Sequence, residues 1–285
     1  MEAGVDSPAG QIVQLGALRF ERPVIMGILN VTPDSFSDGG RFEHVETALA
    51  EAGRMLEAGA AIIDIGGEST RPGAAAVGTE AEINRVVPVI DALRRKTDSV
   101  ISIDTSKAEV MRAAVAAGAD MINDVRALRE PGALEAAAAL EVPVCLMHMQ
   151  GQPRSMQENP VYENIVADVL RFLEERVQRC VQAGIDRQRL AIDPGFGFGK
   201  TVTHNIALLA NLRELRALGR PLLAGLSRKS TLGALTGRPV DQRMPASIAA
   251  ALLAYVNGAD ILRVHDVGET RDALRIATAT ERYGE

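Results

Sequence analysis

Six polar residues recur at one kind of place in this 285-residue chain. Asn30, Asp104, Asn123, His148, Asp193 and His265 each stand at or near the C-terminal end of a short apolar run, and Glu68 and Lys229 follow just after two more. Carboxylates and amides gathered in this way supply the donors and acceptors that read the edge of a polar heterocycle. Cations join them: Arg71 in ESTRPG, Arg228 and Lys229 in GLSRKS, and Arg263 in RVHD. GLSRKS runs from a strand end into a helix start, where an anion is well placed. Four or more basic groups aimed at one rim would suit a strongly anionic ligand.

Each residue taken singly has a plainer explanation. Asp104 in DTSK could cap the next helix, Asp193-Pro194-Gly195 could be a turn, and His148 in MHM could be a hydrogen-bonded core histidine. It is the convergence of so many strand ends that points to a site. One glycine-rich stretch points elsewhere. GFGFGKT (195–201) looks like a phosphate loop, but the pattern requires a glycine where Pro194 stands, and G-x-G-x-x-G is not met either.

The elements that must carry these residues follow from periodicity. Eight apolar runs (VIMGILN, AIIDIGG, VISIDT, MINDV, VCLMHM, LAIDPG, PLLAGLS and ILRVHD) begin between residues 24 and 261. Their mean spacing of about 34 residues accommodates a strand plus a crossover helix. The intervening segments carry helical periodicity, and several end on Gly. TEAEINRVVPVIDALRRK opens with Thr79 three residues before Glu82, a capping-box pattern, and Pro88 inside it predicts a kink or broken turn. Eight βα units with no linker predict a single domain over 1–285: a closed (β/α)8 TIM barrel, whose strand ends meet on one rim, rather than an open doubly wound sheet. QIVQLGALRF (11–20) precedes the first barrel strand and reads as a hairpin plugging the barrel floor.

Composition excludes several classes. Net charge is −6, which argues against a general nucleic-acid surface but not against an anionic small molecule. ASIAAALLAYV, the most apolar helical stretch, is too short to span a bilayer. The N-terminus lacks the basic and apolar regions of a signal peptide, and Cys145 and Cys180 have no partner at metal-ligand spacing. A cytoplasmic protein with reduced cysteines is expected.

NVTPDSFSDGG, DIGGESTRPGA, SIDTSK, INDV, LMHMQG, DPGFGFGK, SRKS and RVHD, in that order from residue 30 to 266, resemble the motifs of the dihydropteroate synthase family. That resemblance implies a barrel enzyme of folate biosynthesis, usually a homodimer. It implies joining of 4-aminobenzoate to 6-hydroxymethyl-7,8-dihydropterin diphosphate, with diphosphate released with help from Mg²⁺. Carried onto this sequence, Asp193 would accept from the pterin N3–H and 2-amino groups. Asn123 and Asp104 would take the remaining ring edge, Lys229 the carbonyl side, and Met147 and Phe198 would pack around the ring. Arg263 and His265, with Arg228 nearby, would hold the diphosphate, and Asn30 would give one oxygen to Mg²⁺. Thr70, Arg71, Pro72 and Ser230 would shape the 4-aminobenzoate side. Asp104, Lys229, Arg263 and His265 would be catalytic. The polar loop from Asn30 to Gly40 is expected to order on binding diphosphate and metal, with Phe36 closing over the aromatic ring. A rival, a methyltetrahydrofolate-dependent methyltransferase domain, would share the pterin-reading Asp and Asn but has no use for NVTPDSFSDGG, SRKS and RVHD. A pteridine-binding protein without catalysis is the other alternative, and the presence of Asn30, Arg71 and Lys229 weighs against it.

Overall fold

The computed structural model describes residues 11–32, 41–69, 76–151 and 156–281, with backbone alone at 41–43. The expected positions of Phe36, Thr70, Arg71 and Pro72, and residues 33–40 of the Asn30–Gly40 loop expected to close, lie outside the described residues.

The chain opens with a hairpin, β1 (Ile12–Leu15) and β2 (Leu18–Glu21), turning at Gly16-Ala17. Eight parallel strands follow: β3 (Val24–Asn30), β4 (Ile62–Gly66), β5 (Val100–Asp104), β6 (Met121–Asp124), β7 (Val144–Met147), β8 (Leu190–Asp193), β9 (Leu223–Ala224) and β10 (Ile261–Val264). They pair in the order β8-β7-β6-β5-β4-β3-β10-β9, and a bridge between Ile192 and Leu222 joins the two ends. Helices cover the outside: α1 (Arg41–Ala58), α2 (Thr79–Arg94), α3 (Ala108–Ala116), α4 (Ala133–Leu140), α5 (Ile165–Gln182), α6 (Val202–Ala210), α7 (Ser230–Thr236), α8 (Met244–Val256) and α9 (Val267–Glu281). This is the expected (β/α)8 barrel, with one extra helix after β9.

Strand side chains alternate, so one parity faces the helices and the other the barrel axis. Ile25, Leu29, Ile63, Ile65, Ile101, Ile103, Ile122, Leu146, Ile192 and Leu262 join the large core beneath the helices. The opposite parity makes a second core of Val24, Met26, Ile62, Met121, Cys145, Ala191, Leu223 and Ile261, closed from below by Val13 and Leu15 of the hairpin. The hairpin is fastened there by the Gly16 N–H donating to the Gln188 carbonyl at 2.8 Å. It plugs the floor, as expected for QIVQLGALRF. Both cysteines are buried and free.

Pro88 breaks no turn, and α2 continues on both sides of it. One local expectation resolves differently. The N-cap of α2 is Gly78, without a side-chain cap, so the Thr79–Glu82 capping box does not form. Glu82 is fully buried instead, accepting from Thr105 Oγ1 at 2.7 Å and from Lys107 Nζ. A tertiary ion pair outcompetes the local cap because a buried carboxylate must find a cation.

Candidate active site

Further along the same inward-facing parity the side chains become polar. Register places Asn30 beside Gly66, Gly66 beside Asp104, and Asp104 beside Asn123, while Met147 pairs with Asp193. Gly66 leaves room between two neighbours: a Cβ there would lie 3.8 Å from Asp104 Oδ2 and 3.9 Å from Asn30 Oδ1.

Arg263 knits this layer together. Its Nε donates to Asp64 Oδ2 at 2.6 Å and its Nη2 to Asp104 Oδ2 at 2.7 Å. Asn123 Nδ2 donates to the same Asp64 oxygen at 3.1 Å. Burial pushes the Asp104 carboxyl up to about 7, against the pull of Arg263 and with help from the charge of Asp64. The Arg263 guanidinium loses hydration on burial, yet Asp64 and Asp104 outweigh that loss and hold it above the ordinary arginine range. Asp64, fully buried, was not among the expected site residues. Its signal was a carboxylate inside the run AIIDIGG, on the inward parity. Among the described residues its Oδ1 has no hydrogen-bond partner, nor has Ser102 Oγ, the residue in register beside it.

Across the barrel, Asp193 Oδ1 accepts from the Gly195 N–H at 2.7 Å. Burial raises its carboxyl above the usual carboxylate range, with Lys229 and that N–H acting against the rise. Lys229 donates to the Phe196 carbonyl and stands 4.6 Å from the centre of the Phe198 ring. Burial pulls its ammonium down to about 8, against the attraction of Asp193. Arg228, just before it, adopts a left-handed backbone (φ 58) fixed by its N–H on Ser247 Oγ at 2.9 Å. Such strain persists only where surroundings impose it, and here it aims the next residue, Lys229, at the rim. Phe198 packs with Val125, Met147, Met149 and Met156, an apolar wall beside the polar layer.

His265 lies at the end of β10, its Nδ1 2.9 Å from Ser227 Oγ. Arg228 is exposed and its guanidinium pairs with Asp266 at 2.5 Å, and Ser230 opens α7 on the exposed side. Of the expected basic groups, Arg71 lies outside the described residues, and Lys229 and Arg263 are the two cations drawn into the polar layer. Both are drawn onto carbonyls or carboxylates, and the layer is richer in acceptors than in cations. That favours a ligand presenting several N–H groups.

GFGFGKT is not a phosphate loop in three dimensions either. Lys200 is buried, with Nζ 2.8 Å from His148 Nδ1, donating to the carbonyls of Gly195 at 2.9 Å and Phe198 at 3.0 Å. Burial, with Lys200 and Arg129 adding to it, pushes His148 down to about 2, so its ring is neutral. His148 therefore packs and accepts: its ring meets Phe172 edge-on at 4.8 Å.

A family model described as pterin binding enzyme matches residues 26–265. Dihydropteroate synthase of Haemophilus influenzae is 58% identical over 258 residues, covering 90% of this chain and 94% of that one. The chain belongs to the dihydropteroate synthase family. Two solved structures of dihydropteroate synthases agree. That of Yersinia pestis, in a sulfonamide drug complex, superposes with a TM-score of 0.90 at 53% identity and covers 95% of this chain and 100% of that one. That of Xanthomonas albilineans, with 4-aminobenzoic acid, gives a TM-score of 0.90 at 55% identity and covers 95% and 99%. Membership in the dihydropteroate synthase family and an acceptor-rich polar layer at the barrel rim are mutually consistent.

Proposed function

We propose that this enzyme condenses 6-hydroxymethyl-7,8-dihydropterin diphosphate with 4-aminobenzoate, giving 7,8-dihydropteroate and diphosphate. The observation that carries the reading is the meeting of Asp193, Asn123, Asp104, Lys229 and Arg263 on one rim of a dihydropteroate synthase barrel. Asp193 accepts from the pterin N3–H and 2-amino group, a carboxylate set against two donors. Asn123 and Asp104 take the opposite ring edge, Lys229 the carbonyl side, and the ring lies against Met147 and Phe198. Arg263 is oriented by two carboxylates, and with His265 it faces the diphosphate. The amine of 4-aminobenzoate is itself the nucleophile, so the chain supplies binding and electrostatics. Asp104 stabilises positive charge developing on the pterin methylene, and basic groups stabilise the leaving diphosphate.

Magnesium fits this residue set. Asn30 offers a hard amide oxygen, and among the described residues no group of three or more His, Cys, Asp or Glu could cage an ion. Mg²⁺ retains waters and takes phosphate oxygens, so one protein oxygen suffices. When bound, it offsets charge on the diphosphate.

A homodimer is part of the proposal: α8 leaves Leu253 52% and Val256 48% exposed on its outer face, and Ile276 of α9 is 69% exposed. Sedimentation equilibrium at twice the chain mass is the expected result. No helix of the described residues is long and apolar enough to cross a membrane, and we place the enzyme in the cytoplasm. The decisive experiment supplies purified protein with both substrates and Mg²⁺ and follows dihydropteroate by chromatography. Formation of dihydropteroate and diphosphate in equal amounts is expected, and absence of product would refute the assignment.

A further inference from the structure

The turn Asp193–Lys200 leads out of β8 over the apolar wall of the site, and its backbone is folded tightly against the loop that leaves β7. A Cβ at Gly195 would run into the His148 carbonyl, and one at Gly199 into the carbonyl of Gln150. Both glycines have positive φ, 67 and 62, where other residues are strained. So close an approach of two loops brings several carbonyl oxygens together with little water to satisfy them. Lys200 answers that problem. Its side chain is 3% exposed, and its nitrogen reaches Gly195 O, Phe198 O and His148 Nδ1 within 3.0 Å, with His148 O at 3.4 Å. Two of those groups belong to the β8 turn and two to the residue after β7.

The groups fixed in this way are those that face the substrate. Gly195, whose carbonyl Lys200 holds, donates its N–H to Asp193 Oδ1, and Phe198, whose carbonyl it also holds, presents its ring beside Lys229. On the other loop, His148 is flanked by Met147 and Met149, which pack with Phe198. We propose that Lys200 is a positioning residue of the substrate pocket: its side-chain nitrogen ties His148, at the end of β7, to the β8 turn, and thereby sets the Asp193 carboxylate and the Phe198 ring for the pterin. The inference rests on the functional reading above and adds to it a residue that touches no substrate.

Lys200→Met keeps the aliphatic stem and removes the donors. Lys200→Gln restores two N–H groups without a charge. With 6-hydroxymethyl-7,8-dihydropterin diphosphate as the varied substrate, KM for Lys200→Met should rise roughly tenfold, because binding must then hold the two loops together, at about the worth of one hydrogen bond. Its kcat at saturation should stay within about threefold, since the loss falls on binding the ring in ground state and transition state alike. Lys200→Gln should recover part of the KM. A Lys200→Met enzyme with lowered Tm but wild-type KM would reduce Lys200 to a core residue and overturn the inference, as would equal KM values for the Met and Gln variants. If Lys200→Met does not fold, Lys200→Gln decides alone: a KM above wild type supports the role, and a wild-type KM overturns it. Wild-type protein that fails to turn over the substrates would instead sink the functional reading, and this inference with it.

Discussion

At the floor of the barrel, Val24, Met26, Ile62, Met121, Cys145, Ala191, Leu223 and Ile261 close on one another and on the hairpin. Further along the same strands, on the same inward parity, stand Asp64, Asp104, Asn123, Asp193 and Arg263. The backbone geometry is alike at both ends, so the difference lies in what the interior is asked to meet. The floor is sealed by protein and can be apolar throughout. The rim keeps three buried carboxylates that Arg263, Asn123 and the Gly195 N–H only partly satisfy, and that arrangement costs stability unless a ligand or a cation completes it. Stability and recognition are thus segregated along each strand, as expected of this fold.

Asp64→Ala is the change most able to break this division, because Asp64 sits between the layers. It should cost about 3–5 kcal/mol of stability, since Arg263 and Asn123 lose their shared acceptor, and should also weaken pterin binding. Denaturant unfolding together with calorimetry would show both losses. A loss confined to one of them would place Asp64 wholly in the floor or wholly in the site. Met26→Ala comes next, at about 2–5 kcal/mol of stability with KM values unchanged. Altered KM in that variant would mean the two layers are not separable.

Lys229→Ala should act in the opposite sense, leaving Tm close to wild type while kcat/KM falls by the equivalent of about 1.5–3 kcal/mol of charge-assisted contact. Near-normal turnover at saturating substrates would remove Lys229 from the site. The smallest effect expected is in pH. Asp104 must be ionised to act, which requires pH above about 7, and Lys229 must be protonated, which requires pH below about 8. The profile of kcat/KM should therefore be a narrow bell between those values. In Lys229→Ala the alkaline limb should vanish, and its persistence would assign that limb to another group.

The legible part of the site came from residues placed at the ends of apolar runs. Asn30, Asp104, Asn123, Asp193 and Arg263 were readable because strand ends in a closed barrel converge whatever the loops do. Asp64 and Lys200 were not. Asp64 looked like an oddity within a hydrophobic run, and Lys200 like one letter of a failed phosphate motif.

By itself the sequence determined the eight-fold βα alternation, the hairpin beneath it, the parity that separates axis from helices, and which strand ends carry chemistry. These follow from periods of 2 and 3.6 and from turn residues, all of which act between near neighbours. Only the tertiary structure decided the pairings. Arg263 and Asp64 are 199 residues apart, Arg263 and Asp104 are 159 apart, and Lys200 and His148 are 52 apart. No local pattern specifies such partners. They are chosen when barrel closure buries charges together and each must find the counter-charge, carbonyl or ring nitrogen nearest to it. The same cause took Glu82 from its helix cap to Lys107 and turned Arg228 onto Asp266.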